Sequence, residues 1–372
     1  MAELEITGSG VIYINPEPGY RSNFSCHSYV VQLSDAELLC TFQRGQAMYS
    51  VDSVLTQARS TDGGQTWVPE AEILPADGRF SYHGPLVTRM PDGMVVVNAI
   101  RWDRSDPEKP IFNETTGGIV PSDTLLLRST DNGATWTNPE VLDLGDGRIV
   151  TPSGAIVTLS DGRWFLPFDQ WHAFNDPSPY RPRTVAYFSS DKGQSWTDPV
   201  TFGDGASAGK GHWHGRIIRL RDDGLFTLFW SADMSSKAVL PLHYSFGSPD
   251  GREWSTPQST NIHGQTNWPV DLGNNRMVAI YTVRDTKPPG FFAVFSEDGG
   301  KTWDLDQKIL VWDATGRDRI GVSKTDSYPR SHDTISFGAP TAIALLNGDI
   351  FCSFWCTELS VTHIRYVQLR LV

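Results

Sequence analysis

The chain has 372 residues, 39% hydrophobic and 11% aromatic, enough to bury a substantial core. Its formal net charge of -12 is spread without long acidic runs, which argues against nucleic acid and anionic membranes as partners but leaves room for an acidic small substrate held by local arginines. With 34 Gly, 24 Pro and no stretch of about 12 residues at helical periodicity, the composition excludes a helical protein and points to an all-β one.

The start, Met1-Ala-Glu-Leu-Glu-Ile, lacks the basic and apolar regions of a signal peptide, and no apolar stretch is long enough to span a bilayer. A soluble, cytoplasmic protein is the expectation; a secreted chain trimmed of its leader would read the same, and only then would the sequons at Asn23 and Asn113 matter. The run Leu4–Ile14 reads as a strand.

From there the chain repeats itself. A polar hairpin turn, Leu33-Ser-Asp-Ala, is followed by a strand-like run at 54–59 and then by Ser60-Thr-Asp62-Gly-Gly64-Gln-Thr66-Trp67. This eight-residue pattern returns at 129–136, 189–196 and 296–303, with a copy one residue shorter at 248–254. The starts lie 69, 60, 59 and 48 residues apart, a period that fits a supersecondary module and points to a propeller or solenoid. The Asp carboxylate accepts backbone N–H groups, the Gly takes positive φ, and the Trp plugs the turn, so the motif is architectural.

Further hairpin turns follow at Met90-Pro-Asp-Gly93, Leu159-Ser-Asp-Gly162, Leu220-Arg-Asp-Asp-Gly224, Leu272-Gly-Asn-Asn275 and Leu346-Asn-Gly-Asp349, six in all against five Asp motifs. The last is followed by only one strand, 364–371. The N-terminal strand is therefore expected to complete the final blade, removing its exposed edge. This predicts a six-bladed β-propeller of four-stranded antiparallel blades at 27–75, 83–144, 150–203, 212–260, 264–312 and 338–372 plus 4–14, one domain spanning 1–372. The four cysteines, Cys26, Cys40, Cys352 and Cys356, are expected to be buried free thiols.

The Asp motifs mark one face, so function is sought on the other, where inner strands begin and second strands end. Inner strands begin near His27, Tyr82-His83-Gly84-Pro85, Thr151-Pro-Ser-Gly154, His212-Trp213-His214-Gly215, Gly264-Gln-Thr-Asn267-Trp268 and Phe337-Gly-Ala-Pro340. Second strands end near Arg44, Arg101-Trp102-Asp103, Asp169-Gln-Trp171-His172, Asp233, Arg284-Asp285 and Glu358. Aromatic platforms beside ionisable groups suit a sugar, which stacks through its C–H face and hydrogen-bonds through its hydroxyls. For His27 and His263 a structural role is the simpler reading, whereas His83, His212 and His214 recur at comparable blade positions. Arg101 and Arg284 are read either as ion-pair partners of Asp103 and Asp285 or as grips on a substrate carboxylate. The crossing 313–336, with Arg317, Arg330 and Tyr328, reads as a lid or a solvated loop. The pair His212 and His214 lacks a clear third ligand, so neither metal nor cofactor is expected.

The Asp motifs at 62, 131, 191, 250 and 298, together with the hairpin count, resemble the Asp-box (BNR-repeat) proteins of the sialidase, or neuraminidase, superfamily. The resemblance implies a six-bladed propeller and, in sialidases, three arginines on a sugar carboxylate, a Tyr nucleophile assisted by Glu, and an Asp acid/base. This chain diverges. Cys26-His27-Ser28-Tyr29 stands where Arg-Ile-Pro is expected, Ser336-Phe337-Gly338 replaces the Tyr, and only Arg44 matches the family arginine. The expected function is a glycoside hydrolase that cleaves a terminal sugar, acidic or neutral, in a central pocket. Asp169, Asp103, Asp233, Glu358, His83 and His214 are its catalytic candidates. Arg44, Arg101, Arg284, Arg330, Trp102, Trp171, His172, Trp213, His212 and Asn267 are its substrate-binding candidates. A lyase acting on uronic-acid glycans through His and Arg, and a non-catalytic glycan-binding propeller, are the alternatives. The expected partner is an oligosaccharide or glycoside substrate, and the oligomeric state is left open.

Overall fold

A computed structural model describes residues 3–317 and 335–372. Among them are six antiparallel sheets arranged as the blades of a propeller, and two short 3-10 turns, Ala206–Ala208 and Leu305–Gln307, are the only helical segments described. Blade I spans 24–69, blade II 80–141, blade III 149–204, blade IV 210–263 and blade V 267–313. Blade VI combines Phe337–Ala344, Ile350–Glu358 and Val361–Leu371 with the N-terminal strand Leu4–Ile14, whose pairing onto the C-terminal strand closes the ring as expected. In blade III the inner strand is split into Ile149–Pro152 and Val157–Thr158; Pro152 has no N–H for the ladder, and the Ser153 N–H makes one more bond, to the Pro167 carbonyl (2.9 Å), before the break.

The apolar core is a ring of layers. Six clusters each span two neighbouring blades; Val31, Leu39 and Leu55 of blade I, for instance, meet Leu86, Val97 and Leu127 of blade II at 8% exposure or less. Each blade can thus bury both its faces, which explains strands such as Ile350–Glu358, apolar on both sides. All four cysteines are buried.

The Asp boxes are third-to-fourth strand turns, and each is wired alike. In the first, the Ser60 hydroxyl donates to Asp62 (2.8 Å) and accepts from the Gly64 N–H (2.8 Å), while Asp62 accepts from the Thr66 N–H (2.9 Å) and hydroxyl (2.6 Å). The Thr66 hydroxyl bond is the largest reason why Asp62 is held down to about 2. In the shortened copy Asp250 keeps its bond from Ser248 (2.6 Å) and accepts from the Arg252 N–H (3.1 Å). Each box also staples its blade to the preceding one. Trp67 packs on Phe351 of blade VI (5.8 Å), Trp136 donates to Gln57 of blade I (3.0 Å), and Trp254 stacks on Phe165 of blade III (6.2 Å, 12°). Arg59 and Arg128 donate to the backbone of the next blade's box at Asn132 and Lys192, both at 3.0 Å, fixing them to this structural face.

Candidate functional site

The opposite end of the axis is built on a repeated irregularity. In blades I, II, IV and VI the inner strand carries one extra residue in its pairing, between Cys26 and Tyr29, His83 and Leu86, Trp213 and Arg216, and Gly338 and Thr341. The residue after the last regular pair takes positive φ in each: His27 (52°), Gly84 (57°), His214 (53°) and Ala339 (47°). A bulge of this kind re-aims the side chain that follows it. It turns the inner strands from channel packing to the mouth.

Below the bulges the axis is plugged. Tyr29 and Arg216, equivalent residues of blades I and IV, meet across the axis, with the Arg216 guanidinium beside the Tyr29 hydroxyl. Arg216 lies over the Trp268 ring (5.3 Å), Tyr29 packs on the same ring (6.2 Å), and one Arg216 nitrogen donates to the Ser153 carbonyl. Tyr29, Arg216 and Trp268 thus fill the axis at this level with a cationic floor.

Asp169 stands directly above it, on the strand Trp164–Trp171, and is 2% exposed. Its two oxygens lie 3.0 and 3.2 Å from the His214 backbone N–H, and His214 Nδ1 is 3.5 Å away. Burial dominates and pushes the carboxyl up to about 7, against the lowering effects of the Arg216 charge and the His214 N–H. The group is thus poised to exchange a proton near neutral pH. The His214 side chain is 34% exposed and lies parallel to Trp230 (5.9 Å, 11°).

An arc of aromatic rings runs from there around the mouth. Trp213 packs on Trp230 (6.2 Å) and donates to the Tyr180 hydroxyl (3.2 Å); Tyr180 stacks on Trp171 (5.4 Å, 5°). Trp171 is held by a bond to Thr151 (2.9 Å) and meets Phe112 (5.7 Å), which also touches Trp102 (6.4 Å) and Tyr49 (5.6 Å). His172 supports this wall, with Nε2 2.9 Å from the Thr116 carbonyl and its ring against Tyr180 (5.2 Å). Four blades therefore contribute one platform.

The structure brings together Asp169, His214, Trp171, Trp213, Trp102 and His172, and places the other expected residues differently. Strand alternation sends Trp102 to the mouth but Arg101 and Asp103 to the opposite side of blade II. There Arg101 pairs with Asp123 (2.7 Å) and Asp103 with Arg79 (3.4 Å). Asp233 caps a turn, accepting from the N–H and hydroxyl groups of Ser235 and Ser236, which hold it far below the usual carboxylate range. Glu358 is tied to Arg365 (2.8 Å), His363 (3.2 Å) and Arg317. Arg44 pairs with Glu72 (2.6 Å) on the exposed side. Arg284 donates to the Phe337 carbonyl (3.1 and 2.6 Å) and to Gln265, stapling blade V to blade VI. Asp285 pairs with His263 at 2.9 Å rather than with Arg284.

His212 is turned into the blade III–IV layer, against Ser231 (2.8 Å), Phe229 and His243, where burial pushes it down to about 3. Asn267, fully buried, keeps its Oδ1 without a protein partner. His83 is buried at 3% between Gln43 (2.9 Å) and Ser81 (3.2 Å). Arg330 and Tyr328 lie outside the described residues. Sequence reading missed Arg216, Tyr180, Trp230, Phe112 and Gln43. The signal for Arg216 was its place two residues after His214; the bulge hid that it faces the axis.

A family model described as a BNR repeat-like domain matches residues 37–198, the segment holding the first three Asp boxes. Sialidases from Vibrio cholerae serotype O1 are 25% identical over 206 residues, 52% of this chain, which spans only 25% of those relatives. A protein of unknown function from Dyadobacter fermentans superposes over 100% of both chains with a TM-score of 0.77 and 18% identity. The NanB sialidase of Streptococcus pneumoniae matches over 97% of this chain and 70% of its own, at TM-score 0.65 and 12% identity. An α-L-arabinanase of Penicillium chrysogenum matches over 98% of both, also at 0.65 and 12%. The chain is similar to the Asp-box, BNR-repeat propellers, consistent with the sialidase superfamily, and its fold is one that glycoside hydrolases use.

Proposed function

We propose that this protein is a glycoside hydrolase that cleaves a terminal sugar held against the aromatic arc, with Asp169 as proton donor to the departing oxygen. One observation carries the reading: a carboxyl raised to about 7 sits on the floor of a mouth walled by Trp171, Trp213, Trp230 and Tyr180. Rings of this kind accept the C–H face of a pyranose or furanose, while a carboxyl protonated near neutrality supplies what the leaving group lacks. The Arg216 floor favours a substrate bearing a carboxylate.

A second reading is favoured by a specific observation. Of the four carboxylates singled out from sequence, only Asp169 lies beside the mouth's His214, whereas hydrolases of the two-carboxylate type place a pair about 5–9.5 Å apart. In a uronate lyase His214 would take the proton α to the sugar carboxylate while Arg216 offsets the charge that develops. A panel of aryl glycosides, oligosaccharides and uronate polymers, with products weighed by mass spectrometry, separates the two: hydrolysis adds one water, elimination leaves an ultraviolet-absorbing unsaturated sugar. Asp169→Asn should abolish either activity in a folded protein. Undiminished turnover in that variant would remove Asp169 from the mechanism.

A further inference from the structure

The ring closes where blade VI, built from both ends of the chain, meets blade I, and this junction departs from its neighbours at one position. Arg59 and Arg128 stand on the third strands of blades I and II, opposite Leu39 and Val96. Each sends a guanidinium nitrogen to the carbonyl just after the Asp of the next box, at Asn132 and Lys192, and each is packed about with acid: Glu37 and Glu70 on the first, Glu140 on the second. Gln368 holds the same place in blade VI, opposite Phe351, and its Nε2 donates to the equivalent carbonyl of the first box, Gly63, at 2.9 Å. An amide ends sooner than a guanidinium and brings no paired acid. Beside it, on the Asp-box end, lies a cleft of about 740 Å³ walled by 7–9 of the outer strand, 345–347 of the last hairpin and the facing turns of blade I.

The chemistry of that cleft is selective. Among the described residues that line it none is Lys, Arg or His, so nothing there offsets the charge of a phosphate or an acidic sugar. Asp62 spends both oxygens on its own turn, accepting from Ser60, Gln65 and Thr66, which leaves Asp35 as the cleft's uncommitted carboxylate, too little for a hard cation. The two amides are oriented by backbone. Gln32 Oε1 accepts from the Leu346 N–H (2.8 Å), leaving its NH2 group as donor, while Gln368 Nε2 is spent on Gly63, leaving Oε1 as acceptor. Gly8 and Gly10 of the outer strand keep the wall clear: a Cβ on Gly8 would stand 3.2 Å from Gln368 Oε1, and one on Gly10 2.7 Å from the Tyr366 ring. Tyr366 is held in turn by stacking on Phe351 (5.0 Å, 14°) and by a bond to the Gln65 carbonyl (3.3 Å). Leu346, 72% exposed, adds an aliphatic edge. A neutral sugar matches this set, because its hydroxyls both donate and accept and its C–H groups need an apolar neighbour.

We propose that this cleft is a second binding site, for a neutral oligosaccharide, on the end of the propeller opposite the mouth. It goes beyond the mouth's chemistry and does not depend on it. A saccharide seated there touches the outer strand, the last hairpin and blade I together, so its binding favours the closed ring.

The test is made in Asp169→Asn, to keep the probes intact, with two further changes. Ser9→Trp puts an indole into the cleft from an exposed position, and Gln368→Arg writes the Arg59 arrangement into the closing junction. Maltohexaose, cellohexaose, mannohexaose and arabinohexaose are titrated calorimetrically into all three proteins. At least one should bind Asp169→Asn and lose affinity by about tenfold or more with either further change, and with that probe bound hydrogen–deuterium exchange should slow at 4–14 and 345–347. In an otherwise wild-type chain Ser9→Trp should leave kcat unchanged on whichever glycoside is turned over. Absence of binding by every probe, or binding that survives both changes, overturns the proposal; glucuronate binding that Ser9→Trp removes overturns the neutral class. The two sites fail separately. A saccharide lost in Ser9→Trp from a protein that cleaves nothing sinks the hydrolase reading and keeps the cleft, and turnover with no binding lost does the reverse.

Discussion

The two ends of the propeller solve opposite problems. On the Asp-box end four turns repeat one wiring diagram, Ser to Asp to Thr or Ser, the shortened fifth keeps the Ser-to-Asp bond, and each braces the blade before it. At the mouth no two blades supply the same set: Tyr49 from blade I, Trp102 and Phe112 from blade II, Asp169 and Trp171 from blade III, His214 and Trp230 from blade IV. Stability is distributed over many equivalent contacts, so losing one costs a fraction of the total. Chemistry is concentrated in a few groups with no duplicate, so losing one should be decisive.

That contrast can be broken by experiment, and the largest effect is expected at Asp169. Asp169→Asn should lower kcat by about 10²–10⁴-fold while leaving the circular-dichroism spectrum unchanged. The same variant should be more stable than wild type above neutral pH. The folded carboxyl holds its proton up to about 7 whereas an unfolded one releases it near 4. Between those values the native state binds more protons, and stability falls as pH rises, by a few kcal/mol in order of magnitude. Urea melts at pH 5 and pH 8 check this: the asparagine variant should lack the loss that wild type shows.

Next comes the opposite sign in the blade III–IV layer. His212, pushed down to about 3 by burial, stays neutral while an unfolded histidine protonates near 6.5. The unfolded state then binds more protons, and stability is lost as pH falls from about 6.5 toward 3. His212→Gln should flatten that acid limb in denaturation curves without changing turnover at neutral pH.

Smaller again is the cost of an Asp-box change. Ser189→Ala removes the hydroxyl that accepts from the Gly193 N–H (2.7 Å) and donates to Asp191 (2.8 Å), and should cost about 1–2 kcal/mol in urea melts. Its kcat should match wild type; a large loss of kcat there would dissolve the division between the two ends. Trp213→Ala should weaken substrate binding by roughly tenfold, about 1.4 kcal/mol, with the effect in KM. The smallest effect is expected at Asp233, where replacement by Asn removes a turn cap from an exposed loop and should leave kcat within about twofold.

Much of the ring could be read directly. Hairpin dipeptides, the Asp-box period and the shortage of strands after Ile350 sufficed for six blades and for closure by Leu4–Ile14. The mouth was legible only in part. Arg101, Asp103 and Trp102 are adjacent in sequence, and period-2 alternation sends the first two away from the mouth and the third into it. Asp103, Asp233 and Glu358 look alike as carboxylates at strand ends; the partners that occupy the other two come from Arg79, Arg317 and Arg365, while Asp233 is spent on its own turn.

Local chemistry recorded in the chain determined the architecture, because turn geometry and blade spacing depend on residues a few positions apart. Which side chains share a pocket was decided by tertiary structure alone. A single extra residue in an inner strand brings the His214 N–H onto Asp169, and burial gives Asp169 its proton affinity. Both depend on neighbours far along the chain, such as Arg216 and Tyr29, that no spacing rule connects.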